Sequence, residues 1–223
     1  MRPEVIVFDL YGTLLRIDAL RARVAAAHIP RPDAFMDLWR AKQIEYAWCS
    51  SIMDEYRDFD SLTLKALTYA LDAHEAPLEA AARTELAAGW LSLDPYPDVA
   101  STLATLRKRD VPLAVLTNGV KASAERALRD SGIRDALDDV LSVESVRVYK
   151  PDPRVYKLVT ARFACEPERV LFVSSNGWDA SGAAAFGFRV AWCNRAGKPA
   201  ESLGFAPATT LASLADVVGF LAG

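Results

Sequence analysis

The chain has 223 residues, of which 52% are apolar and a quarter are charged, and this composition is typical of a globular protein with a large core. Its net charge is −3 and no basic run is present, which argues against nucleic acid as a partner. No apolar run approaches the roughly twenty residues that span a bilayer, and residues 1–30 lack the apolar segment of a signal peptide. We therefore expect neither a nucleic-acid nor a membrane partner.

The cysteines point to a reducing compartment. Cys49, Cys165 and Cys193 are odd in number and lack the Cys-x-x-Cys spacing of zinc sites. We interpret them as reduced thiols in the core of a cytoplasmic protein, because a disulfide framework would need paired cysteines in an oxidising compartment.

The first predicted element is a strand at residues 5–8, whose sequence Val-Ile-Val-Phe is apolar throughout and ends directly before Asp9. Functional groups gather beyond the carboxyl ends of parallel strands, and a carboxylate placed there is unfavourable unless it is used or paired. Asp9 could simply begin a loop, but this position favours a nucleophile. Gly12 predicts a tight turn, in which Thr13 either caps the turn or donates a hydrogen bond to Asp9.

Residues 15–94 have a different pattern of apolar residues, which recur at helical spacing and form no strand-like runs. Prolines at positions 30, 32 and 77 divide the periodic stretches, and Asp-Pro-Tyr-Pro at 94–97 ends the segment. We predict a helical cap domain over residues 15–94, inserted after the first strand. Residues 1–14 and 95–223 would then form the core domain.

Strand and helix signals alternate through the rest of the chain. Strands are predicted at residues 112–117, 137–143, 170–174 and 189–193, and helices at 120–130, 153–163, 180–186 and near 211–221. Such alternation is typical of a doubly wound parallel sheet, so the predicted fold is α/β and Rossmann-like.

A second cluster of polar residues follows the predicted strand at 170–174. Ser174 ends this strand, and Asn176 and Asp179 follow it closely, so that the sheet would bring them to the same edge as Asp9. Lys150 precedes a proline and could pair with both aspartates, although a lysine is more commonly a surface residue. Two such clusters far apart in sequence predict one shared active site.

These motifs resemble the haloacid dehalogenase superfamily and, within it, the L-2-haloacid dehalogenase branch. The pattern Asp-x-Tyr-Gly-Thr from Asp9 and the pattern Ser-Asn-x-Trp-Asp ending at Asp179 are specific to that branch. Phosphatases of the superfamily carry a second aspartate two positions after the nucleophile, where this chain has Tyr11. A phenol with a pKa of about 10 is a poor general acid, which favours carbon over phosphate chemistry. The other matching segments are 38–46, 116–119, 148–151 and Tyr156.

The resemblance implies a role for each matching residue. Asp9 would attack C2 of a short (S)-2-haloalkanoate, and Arg40 and Asn118 would receive the halide. Water would then cleave the Asp9 ester and release the (R)-2-hydroxy acid. The remaining catalytic positions are Thr13, Lys150, Tyr156, Ser174, Asn176 and Asp179. The other substrate-binding positions are Tyr11, Ile44, Phe59, Thr117 and Trp178.

The resemblance also implies that the partners are a small haloacid and a halide, that no metal or cofactor is needed, and that the chain forms a homodimer. Two alternatives stay open at this point. One is a Mg²⁺-dependent phosphatase acting on a small phosphorylated metabolite, and the other is a non-catalytic binding protein of the same fold. Tyr11 argues against the first, and the apparently complete set of reactive groups argues against the second.

Overall fold

A central sheet organises the chain. The computed structural model describes residues 2–222, and within them six strands form one parallel sheet. The strands are β1 (Val5–Phe8), β2 (Leu113–Thr117), β3 (Asp139–Ser142), β4 (Val170–Ser174), β5 (Arg189–Cys193) and β6 (Thr209–Leu211). Their order across the sheet is β3-β2-β1-β4-β5-β6. The chain therefore winds outward in both directions from β1, and the switch in direction lies between β1 and β4, where ligands bind in sheets of this kind.

Helices fill the connections between these strands. They are α1 (Ala19–Ala26), α2 (Pro32–Ile52), α3 (Phe59–Ala73), α4 (Ala80–Ala88), α5 (Val99–Arg107), α6 (Lys121–Asp130), α7 (Pro153–Phe163), α8 (Gly177–Phe186) and α9 (Asp216–Phe220). Short 3₁₀ turns lie at Gly89–Leu91, Arg134–Ala136, Val143–Ser145 and Pro167–Arg169. Helices α1 to α4 occupy the stretch for which the sequence predicted helices, and the division into cap and core domains stays a prediction. Across residues 2–222, no helix is both long and apolar enough to cross a membrane.

The sheet is buried on both faces, as the continuous apolar strands predicted. Alternate side chains of β1 enter opposite clusters, because successive strand residues point to opposite faces. Ile6 packs in the cluster that includes Leu103 of α5 and Leu128 of α6. Val7 packs in the other cluster, with Val159 of α7 and residues of α8. The predicted α/β fold with a doubly wound parallel sheet is therefore confirmed.

The structure corrects two predictions near the end of the chain. A terminal helix was predicted near residues 211–221, but Leu211 belongs to the edge strand β6, in which Thr209 lies opposite Ala191 of β5. The terminal helix α9 is confined to Asp216–Phe220. Helix α8 begins at Gly177, three residues before the predicted start, because the Asn176 carbonyl already accepts a helical hydrogen bond from the Ala180 amide at 2.9 Å.

The cysteines are free thiols in different surroundings. Cys193 is buried in β5, as predicted for a core thiol, and Cys165 is partly buried. Cys49 is exposed on α2, so the prediction of a core position is wrong for this residue. It lies on the solvent-exposed side of a helix that buries Phe35, Trp39 and Gln43.

Candidate active site

The turns after β1 and β4 are joined by hydrogen bonds at the switch in strand order. The Asp9 amide donates to the Val173 carbonyl at 2.9 Å, and the Ser175 amide donates to Thr13 Oγ1 at 2.8 Å. Gly12 has a φ of +91°, which side chains with a Cβ atom rarely adopt, so glycine is required in this turn. The local sequence thus places Asp9 at the carboxyl end of β1 and fixes it against the neighbouring strand.

The Asp9 carboxylate is held by three donors from three segments of the chain. Oδ2 accepts from Thr13 Oγ1 and from Asn176 Nδ2, each at 2.9 Å. Oδ1 accepts from Lys150 Nζ at 3.0 Å. Asp9 is 7% exposed, so it can still be reached from the surface. Because both oxygens are fixed in place, the carboxylate needs little reorganisation to meet a reacting carbon.

Lys150 also pairs with the second aspartate, and both side chains are fully buried. Its Nζ lies 2.9 Å from Asp179 Oδ2, which accepts from Ser174 Oγ as well, while Tyr156 OH donates to Asp179 Oδ1 at 2.8 Å. Burial opposes the charge on Lys150, but the carboxylates of Asp179 and Asp9 outweigh it, so the pKa of Lys150 is raised. Burial raises the pKa of Asp179, and Lys150 opposes that rise. Lys150 is therefore a buried cation shared by two acids.

Ser174 and Tyr156 thus support Asp179. Besides its bond to Asp179, Ser174 Oγ accepts from the Asn176 amide at 3.2 Å. Burial raises the pKa of Tyr156 well above its ordinary value, so its hydroxyl keeps the proton that it donates.

Thr117 and Asn118 lie where β2 ends, beside the same site. Asn118 Oδ1 accepts from the Lys150 amide at 3.0 Å, which leaves the Asn118 NH₂ group to donate to a ligand. Thr117 Oγ1 accepts from the Gly119 amide at 3.0 Å and keeps its own proton for another acceptor. A Cβ at Gly119 would lie 3.1 Å from the Tyr11 ring, so the glycine lets this turn approach the β1 turn closely.

Arg40 reaches the region from α2. Its guanidinium donates to Gln43 Oε1 and lies over the Trp90 ring, with Cζ 5.4 Å from the ring centroid. Burial lowers the pKa of Arg40, and the charge of Asp9 and the Tyr11 phenol oppose that fall. An arginine side chain keeps its proton in proteins, so its positive charge interacts with the Asp9 carboxylate.

Five of the seven predicted substrate-binding residues line two cavities, and Thr117 and Asn118 line neither of these. A cleft of about 850 Å³ is lined by Arg40, Ile44 and Trp178, together with Asn176. A smaller cavity of about 180 Å³ is lined by Tyr11 and Phe59. Burial raises the pKa of Tyr11 far above its ordinary value, so this phenol is a neutral wall and no general acid.

Three residues of the site were not predicted from the sequence. Gln43 accepts from Arg40, Trp90 lies under the Arg40 guanidinium, and Trp48 Nε1 donates to the Lys150 carbonyl at 2.9 Å. The spacing of three residues on one helix could have indicated Gln43. The two tryptophans lie far from their partners in the sequence, and no local pattern indicates them.

Lys42, two residues after Arg40, pairs with Glu45 at 2.9 Å. In the part of the chain that the structure describes, no group of three or more His, Cys, Asp and Glu side chains is arranged to hold a metal ion. The position between the Asp9 and Asp179 carboxylates is filled by the Lys150 ammonium.

Comparisons with known proteins find relatives over nearly the whole chain. The sequence profile of the haloacid dehalogenase-like hydrolases matches residues 3–187. The (S)-2-haloacid dehalogenase H-109 of Pseudomonas putida is 39% identical over 222 residues, which cover 99% of each chain. The solved structure of the L-2-haloacid dehalogenase RSc1362 superposes with a TM-score of 0.97 at 35% identity and covers 100% of both chains.

A further solved structure holds a covalent adduct. The L-2-haloacid dehalogenase of Xanthobacter autotrophicus with chloropropionic acid covalently bound has a TM-score of 0.93 and 32% identity, and the match covers 100% of this chain and 99% of that one. The resemblance to the L-2-haloacid dehalogenases is thereby confirmed. Since the family profile spans most of the sequence and these relatives match nearly all of it, the chain belongs to the haloacid dehalogenase-like hydrolase family.

Proposed function

We propose that this protein is an (S)-2-haloacid dehalogenase, which hydrolyses short (S)-2-haloacids to (R)-2-hydroxy acids and halide through an ester on Asp9. The observation that carries the proposal is the Asp9 carboxylate, which is fixed by Thr13, Asn176 and Lys150 at the end of β1. Arg40 supplies a second positive charge from the side of the cleft. A fixed carboxylate whose charge interacts with that of a cation is suited to displacement of an anionic leaving group.

In the first step an Asp9 oxygen attacks C2 of the substrate from the side opposite the halogen. The new C–O bond forms as the carbon–halogen bond breaks, and the halide leaves with the bonding electrons. Arg40 and the Asn118 amide receive the charge that grows on the halide, while the Thr117 hydroxyl holds the substrate carboxylate. This single displacement inverts C2.

In the second step water attacks the carboxyl carbon of the Asp9 ester. The oxyanion that forms is stabilised by the donors already placed on the Asp9 oxygens, namely Thr13, Asn176 and Lys150. Asp179, which Ser174 and Tyr156 hold in turn, keeps Lys150 charged and in position. The carboxyl C–O bond then breaks, which releases the hydroxy acid, one proton and the free Asp9 carboxylate without a second inversion at C2.

The apolar residues Tyr11, Ile44, Phe59 and Trp178 would limit the access of water and favour a short alkyl chain. We assign no metal to either step. A halide leaving group carries no phosphate charge for Mg²⁺ to neutralise, and Lys150 supplies the positive charge beside Asp9.

The proposal includes the organisation of the chain. Residues 15–94 would act as a cap domain over the core formed by 1–14 and 95–223, since Arg40 of α2 reaches the Asp9 region from that segment. Two apolar side chains at the end of α2, Ile52 and Met53, are 84% and 64% exposed. We propose that the chain works as a homodimer in the cytoplasm, in which a second copy would cover apolar surface of this kind.

The test is halide release from each enantiomer of 2-chloropropionate after dialysis against EDTA. We expect (S)-2-chloropropionate to give (R)-lactate and chloride at a rate that added Mg²⁺ does not raise, and we expect no turnover of the (R) substrate. Hydrolysis of p-nitrophenyl phosphate with Mg²⁺, without halide release from either enantiomer, would contradict the proposal in favour of a phosphatase.

A further inference from the structure

A chain of hydrogen bonds connects Arg40 to the first turn of α3. Arg40 Nη1 donates to Gln43 Oε1, and Gln43 Nε2 donates to Thr63 Oγ1 at 2.6 Å. Thr63 Oγ1 donates in turn to the Phe59 carbonyl at 2.7 Å. Gln43 is fully buried and Thr63 is 5% exposed, so water does not readily replace these contacts.

One arrangement of protons satisfies every member of this chain. A guanidinium has no acceptor, so the Gln43 atom that faces Arg40 must be the amide oxygen. The amide NH₂ group then faces Thr63, whose hydroxyl must accept from it. The single hydroxyl proton of Thr63 is thereby directed to the Phe59 carbonyl, which can only accept. The helix backbone at Phe59 therefore fixes the orientation of the Gln43 amide.

The Gln43 contact leaves the charge of Arg40 available. An amide oxygen restrains one edge of the guanidinium without a formal negative charge, whereas a carboxylate at this position would form an ion pair with it. The Trp90 ring lies 5.4 Å from Cζ of the same group, and both Gln43 and Trp90 line the smaller cavity. Arg40 itself lines the cleft, whereas Gln43 and Trp90 do not, so these two residues contact the guanidinium from outside the cleft.

We propose that Gln43, oriented by Thr63, is a positioning residue that holds the Arg40 guanidinium for the departing halide. This inference rests on the halide role proposed for Arg40. Displacement of a catalytic group by about 1 Å can lower a rate by roughly 10²-fold. Loss of the hydrogen bonds from Arg40 through Gln43 to Thr63 should therefore lower kcat by about ten- to hundred-fold. The loss of kcat on removal of Gln43 should be larger when the leaving group is poor.

The test compares (S)-2-chloropropionate with (S)-2-bromopropionate. We expect Gln43→Met to lower kcat on both, with a larger loss for the chloro substrate, because chloride is the poorer leaving group and depends more on Arg40. Gln43→Glu should lower kcat more than Gln43→Met does, because its carboxylate would form an ion pair with Arg40 and offset the positive charge that stabilises the halide. KM should change less than kcat in both variants.

Thr63 supplies a matched pair of variants. Thr63→Ser keeps the hydroxyl and should retain kcat near that of the wild type, whereas Thr63→Val should resemble Gln43→Met. Thr68→Val is the control, because Thr68 Oγ1 makes the same type of bond to the carbonyl four residues earlier in α3, at 3.1 Å, and is exposed. It should leave kcat unchanged.

Bromide binding tests the same contact without turnover. Sodium bromide, compared with sodium sulfate at equal ionic strength, should raise the melting temperature of the wild type more than that of Gln43→Met. If bromide loses its effect in Gln43→Met while the wild type turns over no haloacid, the positioning role stands and the proposed function fails. The positioning role is wrong if Gln43→Met and Thr63→Val match the control Thr68→Val in both turnover and bromide binding. It is also wrong if the two variants lose the same fraction of kcat on both substrates and bind bromide normally.

Discussion

Lys150 Nζ lies 3.0 Å from Asp9 Oδ1, although 141 positions separate the two residues in the sequence. The same nitrogen lies 2.9 Å from Asp179 Oδ2, and the Lys150 and Asp179 side chains are almost completely buried. One cation therefore offsets the charge of two carboxylates. The loss of this cation should affect both the stability of the fold and the chemistry at Asp9.

Lys150→Met keeps most of the side-chain volume and removes the charge. We expect the free energy of unfolding to fall by about 3–5 kcal/mol, because removal of one partner from a buried ion pair leaves the other charge uncompensated. Guanidinium unfolding of the wild type and variant measures this difference. Lys42→Met, which removes a lysine paired with Glu45 at the surface, should change stability far less than Lys150→Met.

The loss of stability in Lys150→Met should depend on pH in a defined direction. The pKa of Lys150 is raised in the folded chain, so its contribution is fully present below the unfolded value near 10.5 and is lost as pH rises through the folded value. In Lys150→Met, protonation of Asp179 at acid pH would relieve the repulsion between the carboxylates, so the deficit should shrink as pH falls. A deficit that disappeared between about pH 7 and pH 9 would mean that Lys150 is already neutral there.

Asp9→Asn should abolish halide release while the protein stays folded, because an amide is a far weaker nucleophile than a carboxylate. Circular dichroism and the melting temperature report the fold, and mass spectrometry verifies that the new asparagine has not deamidated. The control is Asp33→Asn, which removes a carboxylate that is 83% exposed. Near-normal turnover by an undeamidated Asp9→Asn protein would exclude Asp9 as the nucleophile.

Arg40→Lys keeps a positive charge but loses the planar fork of donors, so we expect a large fall in turnover. Loss of a donor to a developing anion typically raises the barrier by about 2.7–4 kcal/mol. The effect should appear in single-turnover ester formation, which is the step that releases halide. Arg21→Lys is the control, since Arg21 also lines the cleft but pairs with Asp33 and Asp37. Normal ester formation by Arg40→Ala would contradict the halide role.

Much of the fold could be predicted from the sequence, because strands buried on both faces are continuous apolar runs. Strands β1, β2, β4 and β5 were placed in this way, and the Asp9 and Asp179 turns followed from them. Strand β6 was missed because it has three residues, of which Leu211 alone is buried. Its pairing with β5 depends on tertiary contacts that no local pattern records.

The site shows the same limit. The sequence indicated that Lys150 could pair with Asp9 and Asp179, because all three lie at strand ends or in motifs next to them. The contacts of Arg40 with Gln43 and Trp90 depend on side-chain conformation and on the packing of α2 against the 3₁₀ turn at Gly89–Leu91. Nor did the sequence indicate that Tyr11 and Phe59 would line a cavity different from that of Ile44 and Trp178.

The most direct test of the ester mechanism is a single turnover of (S)-2-chloropropionate in H₂¹⁸O with enzyme in excess over substrate. Water attacks the Asp9 carboxyl carbon in the proposed mechanism, so the product takes its hydroxyl oxygen from Asp9 and the enzyme gains the label. Mass spectrometry should therefore find ¹⁸O in the peptide that contains Asp9 and unlabelled lactate. Labelled lactate with an unlabelled Asp9 peptide would show that water attacks the substrate directly, and would contradict the ester mechanism.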